Sequence, residues 1–166
     1  MALLPEEPAG TIATRTAGAI EFQATLAWRR GEDVPQKPML PDLLLLGAAR
    51  CSIAETEGPE TRCLVGEIRA FSPSELGSAL EAVLRSVTAV AGLTEAMLEV
   101  GAVRAVPPRV ASPRALEELA CDLWSAGFAV RFGSSWASAP EADVYLGSGD
   151  GELQEFLRSH PSWSIA

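Results

Sequence analysis

The stretch Thr61-Arg-Cys-Leu-Val-Gly-Glu-Ile-Arg-Ala70-Phe71-Ser-Pro-Ser-Glu-Leu76 changes its period half-way. Up to Ala70, the residues Leu64, Ile68 and Ala70 fall on one face of an extended chain, which is the alternation of a strand. From Phe71 onward the signals are those of a helix start. Ser72 can cap free backbone N–H groups, Pro73 suits the first helical position, and Glu75 completes a capping box with Ser72. Phe71 and Leu76 are placed for a hydrophobic staple. Leu76, Leu80, Val83, Leu84, Val87 and Val90 then recur at helical spacing, and Gly92 reads as the stop. A strand running directly into a capped amphipathic helix points to a mixed α+β chain.

Upstream, Ile20, Phe22, Ala24, Leu26 and Trp28 alternate with Glu21, Gln23, Thr25, Ala27 and Arg29, so a half-buried strand is predicted there. Gly31-Glu-Asp-Val-Pro-Gln-Lys-Pro ends it as a loop. Residues 43–50 read either as a short helix opened by the leucines after Pro41-Asp42 or as strand; Ala49, Cys51 and Ile53 alternate as a strand does. Glu57-Gly58-Pro59-Glu60 is a turn that joins this segment to Thr61–Ala70 as a β-hairpin.

Downstream, residues 93–100 read as a short second helix, and Ala102–Val106 is an apolar run stopped by Pro107-Pro108. Ser112-Pro113 opens another helix with the stripe Leu116, Leu119, Ala120, Leu123 and Trp124, closed by Gly127 at C′. A strand is predicted over Phe128–Phe132, then a loop-rich stretch, a short strand Asp143–Leu146, a glycine turn and a last helix with Leu153, Phe156 and Leu157. These readings assemble into an α+β fold. An N-terminal antiparallel β-meander is followed by a βααβαβ-like half with a C-terminal strand–helix extension. Residues 1–11 are expected as a flexible lead-in and 12–166 as a single domain with sub-units 12–60, 61–132 and 133–166.

Part of this order carries a resemblance. Val87-Thr-Ala-Val-Ala-Gly92-Leu93-Thr-Glu-Ala96-Met-Leu98-Glu-Val, Pro107-Pro108, the helix 115–126 and Gly127-Phe-Ala-Val-Arg-Phe132 together resemble the C-terminal domain of the bacterial ribosomal stalk protein, whose general fold the Clp protease adaptors share. The resemblance implies a compact platform with a helical face for binding another protein. The lysines with which that family meets translational GTPases have no counterpart between residues 61 and 132, so that role is not carried over.

Bulk composition narrows the function classes. Of 166 residues, 48% are hydrophobic and 21% charged, enough apolar material for a core. The formal net charge of −9 repels phosphate backbones and anionic lipid, so nucleic acid and membrane are poor partners. Lys37 is the only lysine, and the arginine bias with abundant Ala, Gly and Pro fits a bacterial source. No secretory signal pattern is visible at Met1-Ala-Leu-Leu-Pro-Glu-Glu, and Cys51, Cys63 and Cys121 lack framework spacing. A soluble, acidic, cytoplasmic protein with reduced thiols is expected.

Candidate chemistry is sparse. Asp143-Val-Tyr-Leu-Gly147-Ser-Gly149-Asp150-Gly151 runs strand, glycine loop, helix, a form that can turn N–H groups toward a phosphate. Its Ser-Gly-Asp segment is similar to one in PIN-like nucleases, where carboxylates gather a divalent metal. It lacks a Walker lysine, and the plainer reading is a turn with Asp150 as a helix cap. Pro41–Cys51 resembles the helix bearing the peroxidatic cysteine of organic hydroperoxide resistance proteins, with Arg50 or Arg62 able to lower a thiol pKa; a buried small hydrophobe is the plainer reading. His160 is the only histidine, next to Pro161, and neither a zinc site nor a catalytic triad forms around it by spacing. Trp28 and Trp124 fall on apolar faces and are expected in the core. Trp136 and Trp163 sit in loop and tail segments and are candidate partner contacts, as is the acidic helix face of Glu117, Glu118 and Asp122.

The sequence therefore points to a non-enzymatic protein-binding or assembly module, an accessory subunit of a bacterial complex, without cofactor or metal. Its partner would be another protein or a second copy of itself. The rival reading is a nucleotide- or metal-dependent enzyme that uses Gly147–Gly151 with Asp143 and Asp150.

Overall fold

A computed structural model describes residues 1–29, 43–147, 151–160 and 163. In chain order the elements are β1 (Ala2–Leu4), β2 (Thr11–Thr16), β3 (Gly18–Ala27), β4 (Leu43–Leu46), β5 (Ala49–Glu57), β6 (Thr61–Ala70), α1 (Pro73–Leu93), β7 (Met97–Val106), β8 (Arg109–Val110), α2 (Pro113–Ser125), β9 (Arg131–Ser135), β10 (Tyr145–Gly147) and α3 (Gly151–Ser159). The fold is α+β, with the strands in two sheets. They fall in two compact units: Ala19–Pro107, and Met1–Gly18 with Pro108–Ala166.

The Ala19–Pro107 unit is a sheet of order β4-β5-β6-β3-β7 with α1 on one face. β4, β5 and β6 form the antiparallel meander read from the sequence, and the leucines of residues 43–46 settle as strand. The two-residue turn between β4 and β5 places Gly47 at φ 66°, where glycine carries no Cβ penalty. Phe22, Ala24, Leu26, Cys51, Ile53, Leu64 and Ile68 supply the sheet's half of the core, and α1 supplies Leu76, Ala79, Val83, Val87 and Ala91. By length and composition α1 would suffice to cross a membrane, with mean hydropathy 1.3 over a window of which 28% is buried.

The Ser72 cap is present: its Oγ accepts from the Glu75 N–H at 3.2 Å. The predicted stop at Gly92 is not. The helix runs on to Leu93, and Glu95 takes the left-handed position at φ 54°, so that the Ala96 N–H reaches the Ala91 carbonyl at 3.0 Å. Residues 97–100, expected as a second helix, are strand instead. β7 pairs antiparallel with β3, Leu98 opposite Leu26 and Val100 opposite Ala24. Met97, Leu98 and Glu99 are good helix formers, but intrinsic propensity is a weak preference that the strand pairing overrides.

In the other unit β2 is central. It pairs parallel with β9 and antiparallel with β10 and β8, and β1 adds parallel to β10. Part of the expected lead-in is therefore structure: Met1, Ala2 and Leu4 are buried. α2 and α3 pack over the sheet through Leu119, Leu123, Leu153 and Leu157 against Ile12, Val144 and Leu146. The end of α2 explains why β9 starts at Arg131 and not at Phe128. Gly127, at φ 87°, bonds back to Trp124 and Phe128 to Leu123, the paired bonds of a Schellman motif, so Phe128 is held in the cap.

Candidate functional site

α2 starts at Ser112-Pro113, and its apolar stripe rotates Leu119, Ala120 and Leu123 into the core. That rotation turns Glu117, Glu118, Cys121 and Asp122 outward. The chain after α3 brings two rings to the same place. The Trp163 N–H bonds to the His160 carbonyl at 3.2 Å, and the Trp163 Nε1–H donates to Asp122 Oδ2 at 2.8 Å. His160 Nε2 lies 4.0 Å from the same oxygen, and its ring packs on Phe156, centroids 5.4 Å apart. Phe156 leans in turn on Phe128. Glu117, Glu118, Cys121, Asp122, His160 and Trp163 line one pocket of about 410 Å³.

Four of the sequence candidates, Trp163, Glu117, Glu118 and Asp122, thus meet in a single site. Trp136 does not line it; that residue follows β9 and is half-buried. Cys121 and His160 line the pocket although neither was a candidate. Arg114 Nε already donates to Glu118 at 2.8 Å, an exposed helix pair of small worth. The arrangement suits a cation: carboxylates supply the charge, and an indole supplies a π face and a flat wall.

The glycine loop resolves differently. Asp143 is exposed, and its carbonyl accepts from the Ser112 N–H at 2.7 Å. Gly147 is buried in β10, where a side chain would run into the Pro8 carbonyl. Gly149 and Asp150 lie outside the described residues. Among the described residues there is no group of three or more His, Cys, Asp or Glu placed to hold a metal ion.

The tryptophan and cysteine readings separate. Trp28 is core, its Nε1–H donating to the Thr94 carbonyl at 3.0 Å. Trp124 is not core: it is 61% exposed, because it sits on the flank of the α2 stripe beside Leu123. The peroxidatic reading of Cys51 fails on two counts. The thiol is fully buried, and burial pushes its pKa up to about 11. Arg62 is engaged by Glu55 and Glu57. Iodoacetamide under native conditions is accordingly expected to alkylate Cys121 first, Cys63 more slowly and Cys51 only on unfolding. Peptide mass spectrometry over time reads the order, and Cys51 labelling at the Cys121 rate would contradict this fold.

No family model matches the chain, and no curated protein matches it. Solved structures do match in fold. An amidase of the hydantoinase/carbamoylase family from Burkholderia vietnamiensis aligns with TM-score 0.63 at 12% identity over 81% of this chain and 41% of its own. AtUAH in complex with glyoxylate aligns with TM-score 0.66 at 9% identity over 84% and 41%. The aminobenzoyl-glutamate utilization protein from Klebsiella pneumoniae aligns with TM-score 0.60 at 15% identity over 93% and 50%. The chain thus spans half or less of the length of these structures. These matches overturn the resemblance to the ribosomal stalk domain and the Clp adaptors. The physical reason is visible in the chain: residues 61–132 are divided between the two units, and the supposed second helix is β7.

Proposed function

We propose that this chain is a non-catalytic protein-binding module, and that the pocket on α2 receives basic side chains of its partner. One observation carries the reading: Trp163 is fastened to Asp122, which sets an indole beside the carboxylates of Glu117 and Glu118. The net charge of −9 favours the approach of a basic protein and supports the same reading. Amidase and aminobenzoyl-glutamate chemistry belong to the neighbours named above; at 9–15% identity only the fold is shared.

Deca-lysine is a sufficient probe. Fluorescein-labelled deca-lysine is expected to bind at low salt and weaken as salt rises. The double variant Glu117→Gln/Glu118→Gln should weaken it by about tenfold, or roughly 1.4 kcal/mol. Glu81→Gln, an exposed acid on α1, should leave it unchanged. Equal anisotropy titrations for all three proteins would reject the reading.

A second surface supports self-association as a further reading. β7 closes one edge of its sheet, and Met97, Val100 and Val103 on it are exposed. A long edge with apolar side chains is a template for pairing with another strand.

A further inference from the structure

The acidic pocket has an apolar neighbour. Pro113, Leu116, Ala120 and Trp124 of α2 face Phe132 of β9 across a groove of about 380 Å³. Trp124 is 61% and Phe132 54% exposed, two large aromatics lining the same groove. Single exposed apolar residues need no explanation, whereas a contiguous aromatic patch rimmed by charge marks a contact surface. Glu117 and Cys121 line both depressions, so the groove and the acidic pocket share one wall. That wall is a single helical turn of α2, about 6 Å along its axis.

Resting on the reading above, we infer that the occupant of this face is an amphipathic basic helix of a partner protein. A large apolar side chain would seat between Trp124 and Phe132, and a lysine or arginine one turn away would enter the pocket of Glu117, Glu118 and Asp122. Charge complementarity selects the sign: the rim beside the groove carries carboxylates, and its cation Arg114 is already spent on Glu118. Side chains three or four apart on a helix stand about 5–6 Å from each other on one face, so one amphipathic helix can present an apolar and a basic side chain together to two depressions that share a wall. The apolar seat and the charged seat therefore read as one bipartite site, anchor plus cation.

The test uses the full chain and three fluorescein-labelled probes: a leucine/lysine peptide of about 18 residues patterned as an amphipathic helix, a scramble of the same composition without an apolar face, and deca-lysine. The patterned peptide is expected to bind about tenfold tighter than the scramble. Trp124→Ser and Phe132→Ser, each checked for native circular dichroism, should each erase that margin and leave deca-lysine binding intact. Glu117→Gln/Glu118→Gln should weaken all three probes. If the margin survives both serine variants, the bipartite site is wrong while the acidic pocket stands on the deca-lysine result. If no probe responds to the glutamine pair, both readings fall together. Sedimentation gives the remaining outcome: a wild-type dimer that Trp124→Ser dissociates would mean that a second copy covers the groove, which overturns the inference.

Discussion

Arg62→Ala is expected to destabilise the Ala19–Pro107 unit by about 3–5 kcal/mol, the usual cost of removing one partner from a buried ion pair. Arg62 is 2% exposed at the end of the core face of β6, which continues through Leu64, Gly66, Ile68 and Ala70. Its guanidinium binds Glu55, itself 12% exposed, and lies 2.8 Å from Glu57, which is 64% exposed. The two acids are not equal partners. Glu57 stays largely hydrated and loses little when the arginine goes. Glu55 loses its arginine partner in a place that water reaches poorly, where a carboxylate is costly to keep. Glu57→Gln is accordingly expected to cost about 0.5 kcal/mol, in the range of exposed pairs. The double variant Arg62→Leu/Glu55→Leu should recover most of the loss, because a well-packed apolar pair can replace a buried ionic one at little or no cost. Urea titration with pulse alkylation of Cys51, a thiol buried in the same unit, reads the midpoint directly. A midpoint for Arg62→Ala within error of the wild type would show that the pair does not hold the sheet end.

Much of this sheet was legible because its signals are local. Leu64, Ile68 and Ala70 alternate within ten residues, and Ser72 acts on an N–H three positions away, so short windows contain the physics. β7 was hidden for the opposite reason. Its strand character comes from Leu26, Ala24 and Phe22, more than seventy positions earlier in the chain. Residues 93–100 taken alone contain good helix formers, and α1 ends inside them at Leu93, with a left-handed Glu95 where a glycine would have announced the cap. β1 was hidden in the same way, since three apolar residues followed by Pro5 carry no period and the partner strand is β10.

The candidate site was legible in pieces. Glu117, Glu118 and Asp122 could be placed on the polar face of one helix from spacing alone, and Trp163 stood out as a tail tryptophan. Nothing local says that they meet, because Trp163 reaches Asp122 across 41 positions. His160 offered one unused clue: it follows Phe156 by four, the spacing that stacks side chains on one helical face, and the two rings do pack. Trp124 was misread because a stripe drawn at helical spacing does not say how wide the buried face is. Leu119, Ala120 and Leu123 fill it, and the next residue turns out by a hundred degrees.

Gly147→Ala is expected to cost about 3 kcal/mol, at the upper end of overpacking penalties, and Gly147→Val more. The reason is backbone against backbone. A Cβ at this position points at the Pro8 carbonyl oxygen, with the Glu7 carbonyl beside it, and neither can swing aside as a side chain tip would. The strand cannot yield either. β10 is held on both edges, with Gly147 opposite Leu4 of β1 and Tyr145 and Leu146 opposite Ala13 and Ile12 of β2, so a shift large enough to relieve the contact breaks two registers. For a chain of this size the loss corresponds to a fall of about 6–12 °C in Tm. Gly151→Ala, where a Cβ meets open space, should change Tm by less than about 3 °C. The comparison also separates the two readings of the glycine turn. If Gly147 were kept small to let a phosphate approach the backbone, the alanine variant would melt like the wild type and lose only a ligand. If it is kept small because the Glu7-Pro8 turn lies against it, the variant is thermally weakened with no ligand present. Thermal unfolding by circular dichroism decides between them, and a Gly147→Ala curve that overlays the wild type would remove the packing explanation.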